Sequence, residues 1–251
     1  MKILSWNVNG LRAAERKGFS KKFKRYSPDI MCIQETRAKI KQLPKRLQEP
    51  EDYHAYFNIA KKKGYSGVTV YTKEKPKKVE TKLGMRRFDR EGRLLKLTFP
   101  EFILINFYIP FGGHLKQNLP YKLKVYKRLL TYVRKLKNKK VILTGDFNIA
   151  HTELDLARPK QNKDSIMFTP EERKQIDKLV KIGYIDTFRH KHPKKKKYTF
   201  WSQRTRARKR NIGWRIDYFF VTKKLLKSVK KSYIKSRVMG SDHCPVGLTL
   251  K

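Results

Sequence analysis

Apolar positions along this chain fall in short runs. KILSWNV (2–8), DIMCIQ (29–34), GVTVYT (67–72), LLKLTF (94–99), FILINFYI (102–109), VILTGDF (141–147), RIDYFFV (215–221) and PVGLTL (245–250) are rich in Val, Ile, Leu, Phe or Tyr. Each is bounded by Gly, Pro, Asn or Asp, and the pattern predicts strands. Two segments follow a different period. Leu123, Tyr126, Leu130, Val133 and Leu136 recur at helical spacing. TPEERKQIDKLVKIG (169–183) has Thr169 as N-cap, Pro170 at the first helical position, Glu172 closing a capping box and Gly183 as the stop. No repeat or Ser/Gly linker divides the chain, and KPKK, KNKK and HPKKKK are its only low-complexity runs. One α/β domain spanning 1–251 is expected.

Composition adds a core and a partner. A chain of 251 residues at 39% hydrophobic can bury a sizeable interior. No apolar stretch is long enough to cross a bilayer, and MKILSWNV lacks the apolar region of a signal peptide, so a cytoplasmic protein is expected. Cys32 and Cys244 sit in apolar runs without a CxxC or zinc spacing, which excludes a disulfide framework and a structural zinc from the expectations. Lys and Arg number 63 against 21 Asp and Glu, a net charge of +42. Self-repulsion on that scale favours a polyanionic partner, and nucleic acid is the expected one. A solvated Lys-rich surface is the bland alternative, although adaptation to heat usually adds Glu along with Lys. With no long basic amphipathic helix or lipidation motif, a membrane partner is not expected.

Polar residues collect where the predicted strands stop. Asn7 and Asn9 follow ILSW, Glu35 follows MCIQ, Tyr108 follows LINF, Asp146 and Asn148 follow VILTG, Asp217 lies within RIDYFF, and Asp242 and His243 precede PVGL. Each alone reads as a cap or turn residue, but strand ends meeting at one sheet edge are where sites form. Asp146 and Asn148, two apart, would leave the same face of an extended backbone.

In order along the chain, SWNVNGLRA, IQETR, GYSGV, DREGR, FYIP, GDFNIAHTELDL, FTPEER, YTFWS, NIGWRIDYFFV and GSDHCPV resemble the motifs of the exonuclease III family of AP endonucleases. That family lies within the endonuclease/exonuclease/phosphatase superfamily. GDFN or SDHxP alone would indicate only the superfamily; NIGWRIDYF is similar to the DNA-repair branch. The resemblance implies a four-layer α/β sandwich, two packed and mostly antiparallel β-sheets flanked by helices. It implies a monomeric, Mg2+-dependent enzyme, with Mn2+ as a substitute. Its substrate would be double-stranded DNA with abasic or 3′-blocked lesions, cut 5′ to the abasic site to leave a 3′-hydroxyl, with 3′–5′ exonuclease or end-trimming activity.

Site roles follow from the same resemblance. Glu35 is the implied metal ligand, with Asn7, Asn9 and Asp242 around it; some relatives carry Asp at the position of Asn9. Asp146 is the candidate base, Asn148 a transition-state donor, Tyr108 and Asn7 phosphate contacts, and Asp155 a carboxylate near the leaving oxygen. Asp217 and His243 are expected to pair, so that the imidazole meets phosphate as a cation. The residues leave open whether Asp146 or the Asp217–His243 pair manages the proton, and whether one or two metal ions act. Phe200, Trp214 and Ile216 resemble the wall of a pocket for a flipped-out, base-less sugar. Between them SQRTRARKRN carries Arg204 and Arg206, a basic wedge that leaves room for nicking beside damaged or uracil-containing nucleotides. Arg12, Arg37, Tyr65, Asn162 and Asn211 stand at family positions for backbone contacts. Phe111 stands where relatives commonly carry Asn, and Arg158 where many carry Asn. The competing readings are a superfamily phosphodiesterase acting on RNA or other phosphodiesters, and a basic nucleic-acid-binding protein without catalysis.

The charge predicts that affinity for duplex DNA falls steeply as salt rises, because phosphate contacts release counterions. A titration showing salt-independent binding would remove nucleic acid as the reason for the charge.

Overall fold

The structure, a computed structural model, describes residues 1–251. Along the chain run β1 (Lys2–Asn7), β2 (Ile30–Gln34), β3 (His54–Asn58), β4 (Val68–Thr72), β5 (Lys78–Glu80), β6 (Leu94–Thr98), β7 (Ile103–Tyr108), β8 (Val141–Asp146), β9 (Tyr184–Asp186), β10 (Asp217–Thr222), β11 (Val229–Ile234) and β12 (Val246–Leu250). They form two six-stranded sheets, ordered β11-β12-β1-β2-β4-β3 and β5-β6-β7-β8-β10-β9. Each sheet has one central parallel pair, β1 with β2 and β7 with β8, and antiparallel neighbours outside it. A parallel pair ends at one edge, so Asn7 and Gln34 finish together, as do Tyr108 and Asp146.

Side chains alternate between cores, as pleating requires. Along β7, Leu104 and Tyr108 face the layer between the sheets, while Ile103, Ile105 and Phe107 face outward. The outer face of the first sheet is covered by α1 (Leu11–Arg16), α2 (Phe19–Tyr26) and α3 (Lys45–Gln48) through Leu11, Phe19, Phe23 and Leu47. The second sheet is covered through Phe88 of α4 (Arg86–Arg90) and the longer α5 (Leu119–Arg134) and α6 (Pro170–Ile182). Two short helices, α7 (Thr187–Lys191) and α8 (Lys223–Leu226), add Phe188 and Leu225 to the layer between the sheets. This is the four-layer α/β sandwich.

Every strand expected from the sequence is present. The unexpected ones, β3, β5, β9 and β11, are the edge strands of the two sheets. Interior strands are buried on both faces and read as continuous apolar runs. Edge strands are short or carry charge toward water, as in KVE and VKKSYI, so their apolar signal is broken. α6 keeps its expected ends: Thr169 and Glu172 cap each other, and Gly183 closes the helix in the left-handed region. In α5, Tyr126, Leu130 and Val133 are buried as expected, but Leu123 is only half-buried and Leu136 lies beyond the end of the helix. Val125, Leu129 and the charged Lys122 take their place. Lys122 is fully buried because its ammonium meets Glu172 of α6 and the carbonyl of Asn148, both at 2.5 Å.

Candidate active site

The ends of the two parallel pairs meet across the sandwich. Asn7 Nδ2 donates to Glu35 Oε1 and to Asp146 Oδ2, both at 2.9 Å, tying the first sheet to the second. Both amide protons are thereby used in holding the two carboxylates. Antiparallel β10 starts at the same edge and sets Asp217 directly opposite Asp146. The turn before β12 is tethered there by Ser241 Oγ donating to the Asn7 carbonyl at 2.8 Å and by Trp6 Nε1 donating to the His243 carbonyl at 3.1 Å.

Backbone strain gathers at this edge. Asn9, Glu35, Arg37 and Asn148 have φ of 49°, 58°, 49° and 51°. The left-handed region costs a non-glycine residue about 1–2 kcal/mol. At Glu35 that turn ends the strand and sends the chain back beneath the cleft. Asn148 is therefore not on an extended strand, contrary to expectation. Its backbone N–H donates to Asp146 Oδ1 at 2.8 Å in an Asx turn, and this turn, rather than strand alternation, brings both residues to the cleft.

Asp146, Asp217 and His243 are almost inaccessible, at 1%, 2% and 4% exposure. His243 Nδ1 lies 2.8 Å from Asp217 Oδ2, and Nε2 lies 3.9 Å from Asp146 Oδ2. Burial opposes the imidazolium, but Asp217, then Asp146 and Asp242, outweigh it and push the pKa up to about 10. The ring is a cation at neutral pH. Burial and Asp217 push Asp146 upward, while His243, Asn7 and the Asn148 N–H hold it back, leaving a carboxylate basic enough to take a proton from water. Burial and Glu35 raise the Tyr108 phenol well above its usual range, against the Arg93 guanidinium 4.5 Å from the ring centre. Tyr108 is thus a neutral O–H donor.

The Asp146, Asp217 and His243 ligand atoms lie within 4.8 Å of one another. Within that trio His243 Nδ1 meets Asp217 Oδ2 while Asp217 Oδ1 is buried without a hydrogen bond, and a protonated ring disfavours a cation beside it. Glu35 fits a metal better. Its Oε1 is held by Asn7, while Oε2 is buried without a hydrogen bond and has the Arg37 guanidinium against it. Asp242 stands beside it on the cleft, with Asn9 Nδ2 donating to its oxygens at 3.1 and 3.0 Å. Oxygen ligands of this kind suit Mg2+. The cleft encloses about 780 Å3, and its other wall is Phe111, Met167, Phe200, Trp214 and Ile216. Phe200 packs on His243 with ring centres 4.9 Å apart, so pocket and charge cluster share a wall.

Residues 4–243 match the model of the endonuclease/exonuclease/phosphatase family. The chain belongs to that family. It is 43% identical to an exodeoxyribonuclease of Bacillus subtilis, over 100% of this chain and 99% of the relative. A DNA-(apurinic or apyrimidinic site) endonuclease of Dictyostelium discoideum is 42% identical, over 100% of this chain and 70% of that protein. Among solved structures, an AP endonuclease from Archaeoglobus fulgidus superposes with a TM-score of 0.91 at 28% identity, covering 100% and 99% of the two chains. As a family member the chain is a phosphodiester hydrolase, and its two-sheet frame is the family's AP endonuclease fold.

Within this family member the other expected residues separate into places. Arg37 lines the cleft, and Arg206 lines the trough next to it. Arg204 and Arg12 are exposed. Tyr65 accepts a hydrogen bond from Arg93 at 2.9 Å, which links it to Tyr108. Asn162 donates to the Arg158 carbonyl at 3.0 Å, and Asn211 Oδ1 accepts from Trp201 at 3.2 Å, so both also brace their own loops. Asp155 does not reach the cleft, correcting the place given to it beside a leaving oxygen. It is wholly buried, with Oδ1 taken by Arg215 at 2.8 Å and by Arg189, and Oδ2 taken by the Thr152 N–H at 2.9 Å. It positions the segment that carries Trp214 and Ile216.

Three buried cations were not singled out by sequence reasoning, Arg93, Lys122 and Arg215, and Arg208, read there only as part of the basic loop, is half-buried. Arg93, Lys122 and Arg208 donate to the carbonyls of Tyr108, Asn148 and Ser241, each a site residue or its neighbour. Arg93 and Arg215 carried a local signal, since they stand in the quoted motifs DREGR and NIGWRIDYFFV.

Burial would raise the Asp155 pKa, but Arg215 and Arg189 hold it far below the carboxylate range. Its stabilising contribution is complete above the unfolded carboxyl pKa of about 3.9 and is lost as pH falls toward the folded value. Asp155→Asn is expected to destabilise the protein at neutral pH by about 3–5 kcal/mol, because it leaves a buried guanidinium short of its counter-charge. Denaturant unfolding at a series of pH values should also show a shallower acid loss in the variant. Parallel curves would refute the linkage.

Proposed function

We propose that this chain is a Mg2+-dependent DNA-repair nuclease that cuts 5′ to abasic sites, leaves a 3′-hydroxyl and trims blocked 3′ ends. The observation that carries the reading is the Asp146–His243–Asp217 cluster sharing one cleft with Glu35 and an apolar wall. Phe200, Trp214 and Ile216 offer apolar surface on which a base-less deoxyribose, flipped out of the duplex, can be received. The names of the relatives in Bacillus and Dictyostelium agree with this substrate class.

Mg2+ would sit at Glu35 with Asp242 and Asn9, and when bound it supplies positive charge to the phosphoryl and leaving oxygens. The chain's own residues do the rest. Asp146, raised by burial, takes the proton of the attacking water. His243, kept cationic by Asp217, faces the phosphoryl oxygen and stabilises its developing charge. The Asn148 amide donates one proton to the Ile109 carbonyl at 2.8 Å, while the other has only a 3.4 Å contact with Asp146 and is available to the phosphate. The Tyr108 hydroxyl is a second neutral donor. The assembly proposed is a monomer, and the two buried free cysteines suit a reducing cytoplasm.

A duplex with one abasic-site analogue should be nicked in Mg2+ and left intact in EDTA, with a uracil-bearing control reporting wider specificity. Absence of nicking in Mg2+ ends the enzyme reading. Asp146→Asn is expected to lower kcat by about 10²–10⁴-fold with little change in KM, the range for losing a positioned base. Full activity in that variant would move the proton role to Asp217 and His243. Glu35→Gln should raise the Mg2+ concentration needed for half-maximal activity, and an unchanged Mg2+ titration would take Glu35 out of the metal site.

A further inference from the structure

The cleft is not the only large concavity of the molecule. A groove of about 870 Å3 lies between α2 and the segment after β11. Its rim carries Lys21, Lys22 and Arg25 from α2, Lys197 from the HPKKKK run, and Lys235 and Arg237 from the far side. No carboxylate lines it, and none of these six side chains takes part in an ion pair. The floor is amphipathic. The ring of Tyr26 has Lys235 4.3 Å and Arg25 5.1 Å from its centre, and Met239 beside it is 61% exposed.

The groove is continuous with the cleft. Lys17, Lys22 and Met239 also line the adjoining trough, together with Arg206 and Arg208, and that trough shares Ser202 and Asp242 with the cleft. The wall between them is fixed by Arg208, which donates to the carbonyls of Ser236, Val238 and Ser241 at 2.8, 2.6 and 3.0 Å and lies over Trp201 at 4.6 Å. The groove therefore stands at a set distance from Asp242 and His243. Unpaired cations facing one another cost stability, and a polyanion laid along them relieves it.

We propose that this groove holds the phosphate backbone of the duplex that flanks the lesion on one side, so that affinity depends on DNA length on that side. The proposal rests on the DNA reading of the cleft and extends it beyond the lesion. Backbone contacts of this kind position the substrate without reading its sequence.

Lys21, Arg25 and Arg237 are exposed, so the triple substitution Lys21→Gln, Arg25→Gln, Arg237→Gln should leave the fold intact. Binding is measured by salt titration on abasic-analogue duplexes that end close to the lesion or extend about two helical turns, about 20 base pairs, to one side or the other. The native protein should gain affinity from extension on one side only. The variant should lose that gain, about tenfold in Kd, and its log–log salt slope should fall by about 0.9 for each phosphate contact removed. The charge-preserving variant Lys21→Arg, Arg25→Lys, Arg237→Lys should keep the gain. Equal binding of all lengths by native and Gln variants overturns the proposal, as does a loss of equal size on short and extended duplexes. Nicking of the short duplex by the native protein reports on the cleft separately. If it fails while the length effect persists, the catalytic reading falls and the groove stands.

Discussion

Two carboxylates stand opposite each other on paired strands, out of water, with one imidazole between them and solvent. Like charges directly across a strand pair repel, and an unpaired buried charge costs several kcal/mol. Asp146 and Asp217 are tolerated only as members of a set in which His243 carries a proton against Asp217 and approaches Asp146, while Asn7 and the Asn148 N–H donate to Asp146. The same arrangement sets an imidazole and a carboxylate, both with raised pKa, side by side on the cleft.

Such a set stands only if each strand end is held still. The sheets provide this through their repeated design, since a central parallel pair in each delivers two chain ends to one edge, and the two edges face each other. The surrounding loops are then pinned by cations drawn inward. Arg93, Lys122 and Arg208 each donate to backbone carbonyls at the margin of the site, and Arg215 joins Asp155 to Asp186 behind the pocket. The few buried acids, among them Glu35, Asp146, Asp155, Glu172 and Asp217, lie at the site or brace it. The groove beside α2 gathers part of the surplus of lysine and arginine.

Burial explains which parts of the fold could be read in advance. Strands β1, β2, β4, β6, β7, β8, β10 and β12 are interior, so their sequences are apolar on both faces and announce themselves. β3, β5, β9 and β11 lie at edges, where pairing on one side only leaves room for Lys, His and Asn, and nothing local distinguishes them from loops. In α5 the period was legible but its phase was not, because Lys122 is buried by virtue of Glu172, fifty residues away in a different helix. No count of apolar spacing can assign a lysine to a core.

At the site, the chemistry was legible and its geometry was not. The sequence by itself determined the residue types at the strand ends, the capped helix α6, the excess of positive charge and the family resemblance, because each depends on local pattern or on order along the chain. Only the folded chain shows that Asn7 clasps two carboxylates and that Asn148 turns back in the left-handed region. It likewise places Asp155 behind the pocket, closed off by arginines. These outcomes depend on which polar group finds a partner when water is excluded, and the partners lie as far as 139 residues apart along the chain.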